Sequence, residues 1–195
     1  MPQLLVATSN THKTAEIQAM LGPQWEVLDM RAHPGLVLPE ETGDTFEANA
    51  IIKAEGASIA LSELLVLSDD SGLEVDALGG HPGVKSARYA GEKATDADNR
   101  EKLKRELASR TGPFTGRFRC CMALARGGKA LGTFSGAVEG CLLLEERGMG
   151  GFGYDALFVP DGFDQTFGEL PSQTKNGLSH RARALAQVID ALANI

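Results

Sequence analysis

Leu64-Leu65-Val66-Leu67 is an unbroken apolar run that passes directly into Ser68-Asp69-Asp70-Ser71-Gly72. Consecutive apolar residues without polar alternation describe a strand covered on both faces. Any fold containing this run must therefore place layers above and below it. The segments before it can supply them. Leu4 to Ala7 is a second short apolar run, ending in the polar turn Thr8-Ser9-Asn10-Thr11. A helical pattern follows, with Ile17, Met20 and Leu21 on one face and Gly22-Pro23 as its stop. Trp25 to Leu28 alternates as a strand, and residues 31 to 45 read as a loop whose Glu40 and Glu41 can supply a further carboxylate. Thr45 opens a long helix to about Leu61. On it Phe46, Ala50, Ala54 and Ala57 share one face, while Asn49 and Lys53 share another at a spacing of four.

Asp-Asp-Ser-Gly is a strong turn former, so the apolar strand is expected to end there. Residues 79 to 92 are glycine-rich and irregular. Thr95, with Asp98 three residues on, caps a helix running to about Ser109. Gly116 to Arg126 and Lys129 to Leu144 read as antiparallel strands joined through Gly127-Gly128. Gly148 to Gly153 is a loop leading into a strand at Tyr154 to Val159. Ser179 caps a last helix, to about Ala193, with Leu185, Val188, Ile189 and Leu192 as its apolar face. Strand-helix units, then a strand-rich middle, then a closing helix describe one α/β domain over residues 1–195, a mixed twisted sheet with flanking helices.

Composition narrows the class of partner. A formal net charge of −7 argues against a nucleic-acid polymer, whose backbone calls for a basic face. It leaves room for a nucleotide, which a few lysines in one place can hold. No apolar run has the length of a membrane helix. Met1 to Val6 carries no basic leader, so a cytoplasmic location is expected. Cys120, Cys121 and Cys141 fit neither a disulfide framework nor a zinc site and read as reduced core residues.

Four constellations carry chemistry. Thr8-Ser9-Asn10-Thr11-His12-Lys13 lies between strand and helix, where a helix N-terminus and small polar side chains suit phosphate. Adjacent Asp69 and Asp70 repel unless a cation compensates, and Mg²⁺ favours such oxygens. An aspartate there can also take a proton from water. Gly150-Gly151-Phe152-Gly153-Tyr154-Asp155 lets backbone approach a ligand and offers rings for a base to stack on. Lys175 precedes His180 and Arg181, whose cations sit in a helix first turn that disfavours them without an anion. Each also has a bland reading, as a capping turn, an aspartate turn, a core strand entry or a surface pair.

Taken in order, T-S-N-T-H-K, E-E-T-G-x-T-F-x-x-N-A-x-x-K-A, S-D-D-S-G-L, S-A-R-Y-A-G, G-G-F-G-Y-D and L-S-H-R resemble the inosine triphosphatase, or noncanonical purine NTP pyrophosphatase, family from residue 8 to residue 181. Ser9 stands where the family usually has glycine, and Ala156 where it commonly has proline. The resemblance implies two lobes around a central nucleotide-binding cleft, usually in a homodimer. It implies Mg²⁺-dependent hydrolysis of ITP, dITP or XTP to monophosphate and pyrophosphate. By the same carry-over, Thr8, Ser9, Asn10, Thr11, His12 and Lys13 hold phosphates with Lys53 nearby. Glu40 and Asp70 serve the metal, with Asp69 beside them and Asp70 also the proton acceptor. Ser71 contacts substrate, and Phe152, Gly153, Tyr154 and Asp155 wall the base and sugar. Lys175, His180 and Arg181 contact base or phosphates, Arg181 being a candidate donor to the 6-keto oxygen. The alternatives are a pyrophosphatase for other modified nucleotides and a non-catalytic nucleotide-binding module.

Overall fold

The structure is a computed structural model that describes residues 1–194. The chain forms two compact units, and neither is a continuous stretch of sequence. The first comprises Met1–Asp70, Cys120–Gly136 and the segment from Arg181 onward; the second comprises Ser71–Arg119 and Ala137–His180. No single cut in the sequence separates the two.

The elements are β1 (Gln3–Val6), α1 (Thr11–Leu21), β2 (Glu26–Leu28), α2 (Phe46–Ala60), β3 (Leu65–Val75), α3 (Asp96–Ala108), β4 (Phe114–Arg126), β5 (Lys129–Leu142), β6 (Phe158–Pro160), α4 (Ser172–Leu178) and α5 (His180–Leu192). One mixed six-stranded sheet runs β2-β1-β3-β4-β5-β6. β1 is parallel to both neighbours, with Leu5 opposite Leu28 on one side and Val66 on the other. β5 and β6 are antiparallel. Gly127 and Gly128 both take positive φ, 57° and 80°, which suits the tight return between β4 and β5. Among the described residues no helix is long and apolar enough to cross a membrane.

In the first unit, side-chain alternation assigns each face of the sheet. Leu4, Val6, Leu65 and Leu67 point to one side, where Ile17 and Leu21 of α1 and Ala184, Leu185 and Val188 of α5 pack on them. Leu5, Ala7 and Val66 point to the other and meet Ala57 of α2. Both faces of the apolar run are covered, as its composition requires. α2 is further fixed through Ser68, whose hydroxyl donates to the Ala50 carbonyl at 2.6 Å. Asn49 and Lys53 are buried along with the alanine face, so this helix has less exposed surface than its pattern suggested.

The second unit has its own core, built from Leu73 and Val75 of β3, Leu103 and Leu107 of α3, and Phe118, Phe158 and Phe167. Phe118 meets Phe158 edge-on at 4.8 Å between centroids. Thr95 and Asp98 form a full capping box at the start of α3, as their spacing predicts.

Three expectations are corrected. β3 does not stop at Ser68 but continues through both aspartates to Val75. Buried cations neutralise those carboxylates, so the turn these residues favour in isolation is overridden. Tyr154 to Leu157 is a turn, and only Phe158–Pro160 is strand. α4 was not anticipated: Ser-Gln-Thr-Lys-Asn-Gly-Leu has no apolar period, and a seven-residue helix owes its stability to surrounding structure.

Candidate functional site

The order β2-β1-β3 gives the first unit its site. The chain leaves β1 for β2 on one side and later enters β3 on the other, which makes the carboxyl end of β1 and the part of β3 beside it a topological switch point. Parallel pairing ends at Val6 opposite Leu67. Thr8 to Lys13 follow β1 there, and Asp69 and Asp70 lie within β3 just past the stretch that pairs with β1.

Adjacent strand residues face opposite sides, and that separates the two aspartates. Asp69 lies on the α1 and α5 side. Its Oδ1 accepts from Lys13 Nζ at 2.5 Å, and its Oδ2 accepts from Arg181 Nε at 2.8 Å and from the Cys120 thiol at 3.3 Å. Arg181, only 1 % exposed, also pairs through Nη1 with Glu16 of α1. Burial pushes the Asp69 pKa up, but Arg181 and Lys13 outweigh it and hold the group well below the usual carboxylate range. Burial likewise keeps the Cys120 thiol protonated by raising its pKa well above normal.

Asp70 lies on the α2 side. Its Oδ1 meets Lys53 Nζ at 3.2 Å, and its Oδ2 is buried without a hydrogen-bond partner. Burial raises its pKa, Lys53 and Lys13 pull it down, Glu41 pushes it up, and the balance lies above the ordinary value. The same Lys53 ammonium pairs with Glu41 at 3.0 Å. For Lys53, burial favours the neutral form, but Asp70 and Glu41 reverse this and keep it charged. The backbone carbonyl of Asp69 accepts from Lys53 at 2.9 Å and from Lys13 at 3.3 Å, so one main-chain oxygen lies between the two lysines.

Of the remaining expected phosphate ligands, Asn10 is the N-cap of α1, its Oδ1 accepting from the backbone N–H of His12 at 3.0 Å and of Lys13 at 3.3 Å. Thr8 Oγ1 accepts from the Asn10 N–H at 3.1 Å. Ser9, Thr11 and His12 are exposed. Glu40 is exposed too, and it is Glu41 that the structure brings to Lys53 and Asp70. Adjacent glutamates in an irregular segment offer no periodicity by which to choose between them.

In the second unit a smaller cluster gathers the other expected residues. Asp155 Oδ2 accepts from Lys175 Nζ at 2.7 Å and from the Phe152 N–H at 2.8 Å. Lys175 also stands 4.9 Å from the Phe152 ring centroid. The N-terminal turns of α3 hold the loop: Asp96 accepts from the Gly153 N–H at 2.8 Å, and Arg100 donates to its carbonyl at 2.9 Å. Gly153 has φ +60°, a conformation suited to glycine. Phe152 is half-buried. Tyr154 is a core residue whose hydroxyl donates to the Ser86 carbonyl at 2.8 Å, so its ring is not an exposed shelf. His180 is buried and stacks on Phe118 at 5.0 Å. Ser71 is half-buried on β3. Glu16 and Cys120 are site neighbours to which the sequence assigned no role, and Glu41 entered only beside Glu40 as a further carboxylate. Glu16 follows Lys13 by three residues on α1, a spacing that shares a helix face and signals its place.

Fold and charge together define an α/β protein that gathers lysines and an incompletely bonded carboxylate at a sheet switch point. The chain belongs to the Ham1 family, whose model matches residues 4–191. A dITP/XTP pyrophosphatase of Bacillus licheniformis is 46 % identical over 193 residues, covering 96 % of each chain. One of Geobacter sulfurreducens is 47 % identical over 196 residues, covering 98 % of this chain and 97 % of its own. A solved HAM1 protein from Coxiella burnetii has a TM-score of 0.87 at 37 % identity, with all of both chains covered.

Proposed function

We propose that this chain is a Mg²⁺-dependent nucleoside-triphosphate pyrophosphatase that hydrolyses dITP, ITP and XTP to monophosphate and pyrophosphate. The observation that carries the reading is Asp70: a buried carboxylate with one unbonded oxygen and a raised pKa, beside two lysines. A raised carboxylate pKa moves the group toward the working range of a general base. Membership in the Ham1 family and the pyrophosphatase relatives supply the reaction.

The residues divide the work. Asp70 Oδ2 orients a water and takes its proton. Lys13 and Lys53 face the charge that develops on the phosphates. Asp69, with both oxygens engaged, keeps Lys13 and Arg181 in place. Phe152, Asp155 and Lys175 are assigned to the nucleoside. A 6-keto acceptor on the base distinguishes inosine and xanthine from adenine, and a donor fixed for it discriminates strongly.

The donor set fits Mg²⁺. Asp70 and Glu41 are hard oxygen donors sharing one lysine, and Mg²⁺ typically takes one or two carboxylates, with water and phosphates completing its shell. When bound, the ion supplies neutralisation of phosphate charge. A cytoplasmic homodimer completes the proposal.

The test is a panel of ITP, dITP, XTP, GTP, ATP and dTTP with Mg²⁺, with pyrophosphate, orthophosphate and monophosphate quantified separately. Pyrophosphate with IMP or XMP, and little from ATP or GTP, is the expected result. Orthophosphate overturns the bond assignment. ITP binding without turnover makes the chain a binding module.

A further inference from the structure

The block that carries Glu41 and Lys53 also contains Gly43 and Asn49, which the chemistry above leaves unused. Three contacts run in order along α2. The Gly43 N–H donates to Asn49 Oδ1 at 2.8 Å. Glu41 meets Lys53 at 3.0 Å. Pro39 covers Gly56 so closely that a Cβ there would overlap its Cγ and lie 2.6 Å from its Cδ. Positions 49, 53 and 56 form one stripe of a helix, spanning about 10 Å. Residues 43, 41 and 39 descend that stripe in the opposite direction, two residues per step, and four residues of extended chain span about 13 Å. The two lengths are close enough for the contacts to stay in step.

Both ends of this alignment depend on the absence of a side chain. At Gly43 a Cβ would stand 2.7 Å from Asn49 Oδ1 and 2.7 Å from the Ala48 Cβ. Neither Gly43 nor Gly56 has the positive φ that would itself demand glycine, so space is the reason for both. Asn49 is fully buried. Glu41 stands on a segment without regular secondary structure, with a side chain 28 % exposed. A single partly exposed ion pair is a weak restraint on such a segment.

We infer that residues 39–43 are a strap fastened to α2 at both ends, and that Asn49 and Gly56 are positioning residues which hold Glu41 on the Lys53 ammonium that Asp70 also shares. The inference rests on the pyrophosphatase reading and deepens it.

The test is a double-mutant cycle on ITP hydrolysis. Gly56→Ala is expected to lower kcat/KM about tenfold in the wild-type background and less than about twofold in a Glu41→Gln background. Adding Pro39→Ala removes the two ring atoms that the new methyl meets and is expected to restore activity. Equal losses in both backgrounds, or no restoration, overturn the inference. Where Gly56→Ala fails to fold, Pro39→Gly loosens the same fastening from its exposed side and enters the same cycle. Unchanged turnover in Glu41→Gln overturns the strap's role while leaving the enzyme reading intact. A wild type that releases no pyrophosphate removes that reading, and the strap's role with it.

Discussion

Two charged clusters, one in each unit, are built from the same residue types and differ in completeness. In the second unit, one carboxylate oxygen of Asp155 joins Lys175 to the Phe152 backbone, and the result is a fixed loop. In the first, both oxygens of Asp69 are engaged, but its neighbour Asp70 keeps a buried oxygen without a partner. A bonded carboxylate organises its surroundings, whereas a buried and incompletely bonded one retains the capacity to accept a proton or a cation. Under the proposed function, this contrast is the reason for giving the chemistry to Asp70 and not to Asp69 or Asp155.

The largest expected effect tests that assignment directly. Asp70→Asn should lower turnover by roughly 10³-fold, within the range of general-base removal, with a thermal midpoint close to wild type because burying the charged form of Asp70 is unfavourable. Steady-state kinetics and calorimetry check this. Asp155→Asn losing as much kcat would erase the contrast between the clusters. Next, Asp69→Asn should destabilise the fold by about 3–5 kcal/mol, since it leaves Arg181 and Lys13 without their shared carboxylate in a buried setting; denaturant unfolding measures it. Lys175→Ala should raise KM about tenfold while changing kcat little, the signature of a binding contact.

The smallest effects concern pH. The folded pKa of Asp69 lies below its unfolded value, so its stabilisation is present above the unfolded pKa and disappears as pH falls through the folded one. Unfolding free energy should decline on acidification below about pH 4, where free aspartate titrates, and Asp69→Asn should flatten that decline. Asp70 moves the other way, and Lys53 is one of the groups that restrains it. Lys53→Met should therefore shift the acid limb of the kcat/KM profile to higher pH. A limb that stays in place would take the titration away from Asp70.

The parts of this fold written in local signals were legible in the sequence. The Thr95–Asp98 cap, the Thr45 start of α2 and the Gly127-Gly128 return each depend on residues close together in the chain. What was not legible depends on distant partners. The continuation of β3 through Asp69 and Asp70 was not legible because nothing nearby in the chain reveals Lys13 or Arg181, which come from two helices on the same side of the sheet. Tyr154 read as an available ring because its hydroxyl acceptor is Ser86, far away in sequence. Which of Glu40 and Glu41 meets Lys53 was likewise not legible, since Lys53 and the neighbours of Pro39 and Gly43 lie on α2.

The Asp69 carbonyl that accepts from both Lys13 and Lys53 belongs to the main chain, so every amino acid would provide it. Replacing residue 69 can remove a charge but leaves this acceptor between the two ammonium groups. Substitutions thus spare this acceptor, whatever they cost through the lost side chain, and insertions or deletions do not. One residue added to β3 between Leu67 and Asp69 would rotate each later side chain to the opposite face and carry the carbonyl out of line with both lysines. The length of the strand here is accordingly a constraint separate from the identity of its side chains.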